Sequence, residues 1–334
     1  MSTELAVPAT GRDAGIPWHY GDPLREQRLL ATGAGVVDRT NRDVLAVPGA
    51  DRLGWLHTIC SQHLSSLSDG DSTEALVLSP HGHVEQHWQV TELDGTVWLD
   101  TEPGAAAEVL AYLRKMQFLK RVQPADVSPE WAVLSLVGPA TATVLALAGL
   151  SVPASAGRAE RIAGGGFVRR MAWPGADAAD LVVPRARANG VIGALVEAGA
   201  HRAGLWAYEA LRVEARRPRL GLETDHRTIP HEVGWIGTAV HLDKGCYRGQ
   251  ETVARVQNLG RPPRRLVLLH LGGETDALPT PGTPVELDGR AVGFLGTAVH
   301  HFELGAIALA VVKRSVPDGA TLGISGQTGL IEIA

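Results

Sequence analysis

The feature that most constrains the fold of this 334-residue chain is a change of hydrophobic pattern near Arg261–Pro262–Pro263. Before this point, short apolar runs alternate with stretches whose apolar residues recur every three to four positions, which is typical of strands mixed with amphipathic helices. After it, glycine and proline turns separate four short apolar runs, at residues 266–271, 285–287, 291–299 and 306–312. This series predicts a small all-β barrel and a domain boundary near residue 262.

The part of the chain before that boundary shows one texture twice. Its first half predicts strands at 44–47, 75–78, 84–90 and 97–100 and helices at 51–67 and 105–122. Its second half predicts strands at 131–137, 167–173 and 180–184 and helices at 140–150, 191–198 and 203–215. This order of elements favours an α+β fold over a parallel, doubly wound sheet.

The pattern divides the chain into four parts. We predict a disordered lead at 1–15, a first α/β unit at 16–125, a second at 126–262 and the barrel at 263–334. At roughly 100–200 residues per domain, a chain of this length has room for two or three hydrophobic cores.

Composition excludes several classes of protein. Apolar residues make up 45% and charged residues 20% of the chain, which is ordinary for a folded globular protein. The formal charge of −5 argues against a DNA-binding protein that works by bulk charge. The least polar run, 140–152, is shorter than the ~20 residues that span a bilayer. With no basic, apolar leader at the N-terminus, these patterns predict a cytoplasmic protein with no membrane segment.

Two cysteines, Cys60 and Cys246, are too few for a structural zinc site or a typical iron–sulfur site within this chain. Both are predicted to be free thiols. Cys60 occupies an apolar helical position and is expected to be buried and inert. Cys246 is the one with chemistry around it.

A second group with metal-binding potential is His81, His83 and His87, which share one face if residues 81–87 form a strand. Glu85 alone joins them as a further ligand type, so a polar strand face, either ligand-facing or solvated, is favoured over a metal site. We predict no metal.

The segment Asp243-Lys244-Gly245-Cys246-Tyr247-Arg248-Gly249-Gln250-Glu251 combines features that activate a thiol. Lys244 and Arg248 flank Cys246, and cationic neighbours favour the nucleophilic thiolate. The two glycines permit tight turns and a close approach of a ligand to the backbone. A helix is predicted from Gln250, which places the thiol ahead of a helix N-terminus. A structural role for a lone cysteine in a turn stays equally open.

The surroundings of this segment are basic. Residues 201–265 contain 12 Lys/Arg and 7 Asp/Glu, a local charge of +5 in an acidic chain. Such a zone indicates an anionic ligand or partner, and a set of solvated ion pairs is the alternative.

At these residues the chain resembles the YgfZ-type folate-binding proteins, relatives of the glycine-cleavage T-protein (aminomethyltransferase). The shared signature is Lys244-Gly245-Cys246-Tyr247-x-Gly249-Gln250-Glu251 followed by Arg255. Further similar segments cover residues from about 20 to 325: Leu211-Arg212-Val213-Glu214-Ala215 with Gly221, Ile229-Pro230-x-Glu232, residues 44–85, and residues 282–313.

The resemblance implies a T-protein-like ring of two α/β units and a C-terminal β-barrel around a central folate pocket. It implies tetrahydrofolate, or a one-carbon derivative, as cofactor. Glu214 matches the position whose carboxylate pairs with the pterin ring, and Tyr247, Gln250 and Arg255 are expected to contribute to binding. The alternative for Glu214 is an ion pair with Arg212, Arg216 or Arg217. From charge, Arg216, Arg217 and Arg255 are expected to meet the anionic folate tail.

One departure separates the two branches of the family. The aminomethyltransferases carry an Asp-Asp pair after a glycine turn, and alignment of Gly82 with that turn places Glu85 and Gln86 there. Gln86 cannot ionise, which favours the YgfZ-like branch, whereas Glu85 could supply a carboxylate if the register shifts by one.

The function implied is therefore an accessory protein, expected from the resemblance to be a monomer, that supports assembly or repair of 4Fe–4S enzymes, including enzymes that modify tRNA. Cys246 would be its reactive thiol, tuned by Lys244, and iron–sulfur client or assembly proteins its partners. The alternative is a folate-dependent aminomethyl or methyl transferase with Glu85 or another carboxylate as base. A third possibility, a pocket kept only as a relic, predicts no folate binding.

Overall fold

The computed structural model describes residues 6–175, 177–273 and 277–333. Its α-helices are α1 (Pro23–Thr32), α2 (Arg52–Ile59), α3 (Ala106–Gln117), α4 (Thr141–Leu147), α5 (Ala188–Glu197), α6 (Leu205–Glu214) and α7 (Gln250–Leu259). The first strands are β1 (Val7–Pro8), β2 (Pro17–His19), β3 (Gly35–Asp38), β4 (Asp43–Pro48), β5 (Ser72–Leu78), β6 (Val84–Leu93), β7 (Thr96–Thr101), β8 (Ala125–Asp126) and β9 (Trp131–Val137). The remaining strands are β10 (Ala159–Arg161), β11 (Phe167–Met171), β12 (Ala178–Pro184), β13 (His201–Ala203), β14 (Arg264–Gly272), β15 (Pro284–Leu287), β16 (Arg290–His301), β17 (Gly305–Lys313), β18 (Thr321–Ile324) and β19 (Gln327–Ile331).

The chain divides into two compact units. Unit 1 comprises the described residues up to Ala75 together with His87–Tyr208. Unit 2 comprises Leu76–Gln86 and the described residues from Glu209 onward. Strand β5 therefore begins in unit 1 and ends in unit 2, and β6 begins in unit 2 and ends in unit 1. The turn between the two strands belongs to unit 2. This grouping differs from the four-part division, whose boundaries remain a prediction.

Unit 1 contains a six-stranded sheet of order β10-β11-β12-β9-β3-β13. Strand β9 lies inside this sheet, and the consecutive side chains from Ala132 to Val137 are all buried. Both faces of the sheet are covered, because alternate side chains of a strand point to opposite faces. On one face, Leu134 and Leu136 pack against α4 and α5 through side chains such as Val144 and Leu195.

The other face of this sheet packs against residues of a five-stranded sheet of order β5-β6-β7-β4-β8. Val133, Phe167 and Val182 form one buried cluster with Val44 and Leu93. The predicted α+β arrangement thus arises because one central sheet has a helical layer on one side and strands on the other.

Unit 2 contains the predicted β-barrel, closed in the order β14-β17-β16-β15-β18-β19. Strand β17 alternates small and large residues: Ala308 and Ala310 point into the barrel core, and Ile307 and Leu309 point outward. The outward residues pack against Ala210 and Val213 of α6. This contact fixes the C-terminal end of α6 against the barrel wall.

Three predictions about local structure are corrected. Helix α2 ends at Ile59, so Leu64 and Leu67 lie beyond it. Helix α3 ends at Gln117, because Phe118 adopts a left-handed φ of 44° that cannot continue a helix. Within the predicted disordered lead, β1 pairs with β2, while residues 1–5 lie outside the described residues.

Over the described residues, no helix combines the length and apolar character needed to cross a membrane.

Candidate functional site

The signature segment forms a loop that leads into α7, as the sequence predicts. Cys246 is a free, exposed cysteine, whereas Lys244 and Tyr247 on either side of it are buried, with 5% and 8% of their surfaces exposed. The Lys244 Nζ lies 5.0 Å from the centroid of the Tyr247 ring, a cation–π contact. Burial raises the pKa of the Tyr247 hydroxyl to about 12. The thiol of Cys246 is therefore exposed to solvent on a loop that is anchored by the buried side chains of Lys244 and Tyr247.

The Tyr247 side chain belongs to a hydrophobic cluster whose members lie far apart in the sequence. Tyr247 and Val253 pack with Leu78 and Val84, which flank the β5–β6 turn, and with Trp235. The predicted division of the chain places the turn in the first α/β unit (16–125) and the signature loop in the second (126–262). In the structure they share one core within unit 2.

Two glycines allow this turn and the loop to pack backbone against backbone. Gly249 precedes α7 with a φ of 82°, and a Cβ atom there would lie 2.5 Å from the carbonyl oxygen of Ser79. Gly82 has a φ of 78°, and its Cβ atom would lie 2.7 Å from Thr252 Cβ. Both positions therefore require glycine for conformation and for space. Of the two glycines predicted to admit a ligand, Gly249 instead admits a neighbouring turn of the chain, whereas a Cβ atom at Gly245 would meet nothing within 4 Å.

The two residues that align with the acidic pair of aminomethyltransferases have different surroundings. Glu85 is exposed and its two oxygens pair with the Arg248 guanidinium at 3.1 and 3.3 Å. Gln86 is 5% exposed, and its buried Oε1 has no hydrogen-bond partner within the described residues. Since side chains alternate along β6, Glu85 and Gln86 point to opposite faces of the strand.

Glu214 is the last residue of α6, and 45% of its side chain is exposed. Arg212 pairs with Glu209 and Glu223, and Arg216 pairs with Glu332, so neither neutralises Glu214. Its carboxylate Oε2 lies 3.4 Å from Nε2 of His301, whose side chain is fully buried. A carboxylate at a helix C-terminus faces the negative end of the helix dipole, which is an unfavourable position for a merely structural acid.

The other predicted binding residues differ in availability. Gln250 donates a hydrogen bond from Nε2 to the Lys244 carbonyl oxygen at 3.4 Å, so its amide helps to hold the loop. Arg255 lies on α7, is exposed, and forms no ion pair within the part of the chain that the structure describes. Of the predicted site residues, Lys244 contacts both Tyr247 and Gln250 in the structure. Glu214 lies on a different element, at the end of α6, which packs against the barrel.

Most cations of the basic zone are already paired, which supports the alternative of ion pairs for much of its charge. The paired residues are Arg212, Arg216, Arg219, Arg227, Arg248, Arg264 and Arg265. Burial alone would raise the pKa of Asp225, but hydrogen bonds from Arg264 and its neighbours hold that pKa well below its ordinary value. Arg216 pairs with Glu332, and its predicted contact with a folate tail stays a prediction.

The histidines do not form the predicted strand face. His81 and His83 lie in the turn before β6, with ring centroids 6.1 Å apart, and only His87 lies within the strand. His87 Nε2 lies 3.1 Å from Glu74 Oε2. Among the described residues, no group of three His, Cys, Asp or Glu is placed to hold a metal ion.

Cys60 is 1% exposed, as predicted.

A six-stranded sheet, a five-stranded sheet and a closed C-terminal barrel, together with seven α-helices among the described residues, make up a T-protein-like fold. A family model described as the GCVT N-terminal domain matches residues 13–244, which is more than half of the chain. The chain therefore belongs to this family. The predicted fold class is confirmed: the glycine cleavage system aminomethyltransferase T from Bartonella henselae has the same fold, with a TM-score of 0.87 and 20% identity over 98% of this chain and 93% of that one.

Relatives that are named aminomethyltransferases support the same family. The chain is 29% identical to an aminomethyltransferase from Rubrobacter xylanophilus over 91% of this chain and 82% of the relative. It is 28% identical to an aminomethyltransferase from Herpetosiphon aurantiacus over 92% of this chain and 87% of the relative. Aminomethyltransferases of this family use tetrahydrofolate, in agreement with the predicted cofactor.

Sequence reasoning missed His301. No spacing or motif marks it, because it becomes relevant only where the end of β16 meets the end of α6. His300 and His301 are adjacent in the sequence, and the sequence does not show that His301 is the buried one while His300 is partly exposed.

Proposed function

We propose that this protein is a tetrahydrofolate-binding accessory protein that supports assembly or repair of 4Fe–4S enzymes, including enzymes that modify tRNA, as in the YgfZ-type branch it resembles. The observation that carries the proposal is the exposed thiol of Cys246, on a loop whose neighbouring side chains are buried. A loop anchored by Lys244 and Tyr247 holds the thiol in a reproducible position, which a reactive group requires. Iron–sulfur client or assembly proteins would be its partners.

The donor set of unit 2 fits a folate. A pterin presents neighbouring N–H donors, and a carboxylate can accept two of them at once. Glu214 offers such a carboxylate, half-exposed and with no guanidinium bound to it. The buried, unpartnered Oε1 of Gln86 is a second acceptor that a ligand N–H would satisfy. Arg255 supplies a free cation for the acidic tail. The bound folate would supply a one-carbon carrier or a reduced pterin.

The same residues argue against T-protein chemistry. A base that assists one-carbon transfer must accept a proton, and an amide at position 86 does not do so at neutral pH. Glu85, the neighbouring carboxylate, is held by Arg248 on the opposite strand face. These two side chains support an accessory role for the folate site.

The test is complementation of a host that lacks its own family member, with the activity of a 4Fe–4S enzyme as readout. We compare the wild-type chain, Cys246→Ser and Cys60→Ala at matched soluble expression. Wild type and Cys60→Ala should rescue, because Cys60 is buried, and Cys246→Ser should not. Alkylation under native conditions should modify Cys246 before Cys60, which intact-mass analysis checks.

Equal rescue by Cys246→Ser would make the thiol structural and remove the observation on which the proposal rests. No rescue by the wild-type chain would favour the second candidate, a folate-dependent aminomethyl or methyl transferase. That candidate is favoured by the aminomethyltransferase relatives at up to 29% identity. Incubation with tetrahydrofolate and an amine or methyl donor decides between them: formation of 5,10-methylene- or 5-methyltetrahydrofolate at catalytic rates would replace the accessory role.

A further inference from the structure

We infer that His301 is a positioning residue for Glu214, holding the carboxylate in the orientation that a pterin requires. The inference rests on the proposed function, since it concerns the folate-binding residue of that proposal. It adds a residue from the barrel strand β16, which no sequence motif marks.

The first observation is an unsatisfied atom. The His301 side chain is fully buried, and its Nε2 has no hydrogen-bond partner within the described residues. Buried polar atoms are nearly always hydrogen-bonded, and an exception in a folded protein calls for an explanation. The closest candidate acceptor is Oε2 of Glu214, 3.4 Å away.

The second observation fixes where the proton of the ring lies. The backbone N–H groups of Glu303 and Leu304 both donate to Nδ1, at 3.2 and 3.1 Å. Because Nδ1 accepts these hydrogen bonds, it carries no proton, and the neutral ring carries its proton on Nε2. The turn between β16 and β17 therefore makes Nε2 a hydrogen-bond donor that faces the carboxylate.

The third observation concerns Glu214 itself. Within the described residues, His301 is the only side chain in ion-pair distance of this carboxylate, since Arg212 and Arg216 are bound elsewhere. An exposed glutamate otherwise samples several rotamers, and ordering them on binding costs free energy. A carboxylate has about four lone-pair sites, so one hydrogen bond from His301 leaves enough acceptors for two ligand N–H groups.

Nε2 of His301 and Oε2 of Glu214 lie 3.4 Å apart but are not aligned in a hydrogen bond. We expect this hydrogen bond to form fully in the folate complex. His301 then holds one carboxylate oxygen and leaves acceptor sites for the two ligand N–H groups.

The test separates this role from a purely structural one by two substitutions. In His301→Asn, the amide oxygen takes the place of Nδ1, so the turn keeps its acceptor but Glu214 loses its donor. In His301→Gln, the longer amide reaches the place of Nε2, so the donor is kept but the turn acceptor is lost. Isothermal titration with tetrahydrofolate gives Kd, and thermal unfolding gives Tm.

We expect His301→Asn to raise Kd about tenfold and His301→Gln to recover most of the wild-type affinity, although the Gln variant has the lower Tm. His300→Asn, on the next position of β16, is the matched control and should leave Kd unchanged. In a Glu214→Ala background, His301→Asn should have no further effect on Kd, because the two residues act on one contact.

Three results would overturn the inference. Equal Kd values for wild type and His301→Asn would show that the donor is not used. A loss of affinity that follows Tm through both variants, or that persists in the Glu214→Ala background, would make His301 a structural residue. Absence of tetrahydrofolate binding by the wild-type chain would overturn the proposed function as well, and this outcome is distinct from the other two.

Discussion

Two charged side chains of α6, Arg212 and Glu214, lie two residues apart and have opposite environments. Arg212 is 2% exposed and is bound by Glu209, Glu223 and Thr297. Glu214 is 45% exposed, and only His301 lies beside it within the described residues. Both belong to the segment Leu211-Arg212-Val213-Glu214-Ala215, one of those that carry the family resemblance, so the resemblance alone does not distinguish their roles.

The difference shows how structural and ligand-binding charges are told apart. A charge that leaves water must be paired and hydrogen-bonded at nearly every position, or folding loses several kcal/mol. Arg212 meets that condition, so no donor is left for a ligand. Glu214 keeps free lone pairs at the surface, and these can accept hydrogen bonds from a pterin. The comparison predicts large effects on stability at Arg212 and on binding at Glu214.

The largest effect is expected for Arg212→Met. Removal of the guanidinium leaves the buried carboxylate of Glu223 without its cation and removes one of the cations that pair with Glu209, so the free energy of unfolding should fall by about 3–5 kcal/mol. Urea unfolding followed by circular dichroism measures this change. Arg216→Met is the matched control: its pair with Glu332 is more than one-third exposed, so its loss should change stability by less than about 0.5 kcal/mol. Similar midpoints for both variants would contradict the structural role of Arg212.

The second effect is expected for Glu214→Ala, in binding rather than stability. Loss of a charge-assisted pair should weaken tetrahydrofolate binding by about 2–3 kcal/mol, while unfolding changes by less than about 0.5 kcal/mol. Titration calorimetry and urea unfolding on the same preparation give both numbers. An unchanged dissociation constant would remove Glu214 from the site, and a matching loss of stability would place it with Arg212.

The third effect concerns pH and the buried charges of unit 1. Burial raises the pKa of Asp100, but Arg169 and Arg42 outweigh it and lower the pKa to about 2. Because the pKa is lower in the folded state than the ordinary ~3.9, this pairing stabilises the protein above about pH 4 and is lost between about pH 4 and pH 2. The loss amounts to about 2 kcal/mol.

Urea unfolding at pH 7, 5, 4, 3 and 2 tests this dependence. Asp100→Asn should be less stable than wild type at pH 7 and should lose less stability on acidification, since the titrating group is absent. Parallel pH curves for the two proteins would show that Asp100 does not contribute the acid-labile part.

The smallest effect is expected at the exposed pair beside the signature loop. Glu85 and Arg248 are both more than one-third exposed, so a double-mutant cycle of Glu85→Ala and Arg248→Ala should give a coupling of about 0.5 kcal/mol or less. A coupling above about 1.5 kcal/mol would mean that this pair, like Arg212, holds the fold together.

Hydrophobic periodicity predicted most element types. Strand β9 matches its predicted residues, and α7 begins at Gln250 as expected. The barrel was predicted from short apolar runs between glycine and proline turns, and the T-protein-like family from the segments that resemble it, whereas the YgfZ-type branch stays a prediction. These features are local, because a strand or a helix imposes its own period on the sequence that forms it. The ends of α2 and α3 were less well predicted, since the hydrophobic period does not reveal the extended backbone of Cys60 or the positive φ of Phe118.

Grouping of distant segments was not predictable in the same way. The β5–β6 turn joined the signature loop in unit 2 because Gly82 and Gly249 let two backbones approach, which a single sequence does not reveal. The basic zone had two interpretations, and pairing of Arg212, Arg216 and Arg264 with particular carboxylates decided for ion pairs in most of it. The role of Glu214 also depended on which arginines were already bound.

The sequence by itself determined the α+β class, the C-terminal barrel, the buried state of Cys60 and the segment that carries Cys246, because each follows from residue type and local period. Tertiary structure alone decided which charged groups remain available, since availability depends on every neighbour in space. It placed His301 beside Glu214, left Oε1 of Gln86 without a hydrogen-bond partner among the described residues, and paired Glu85 with Arg248. The hydrogen bonds that a buried or half-buried polar group can make are set by packing, and packing brings together residues that sequence order keeps apart.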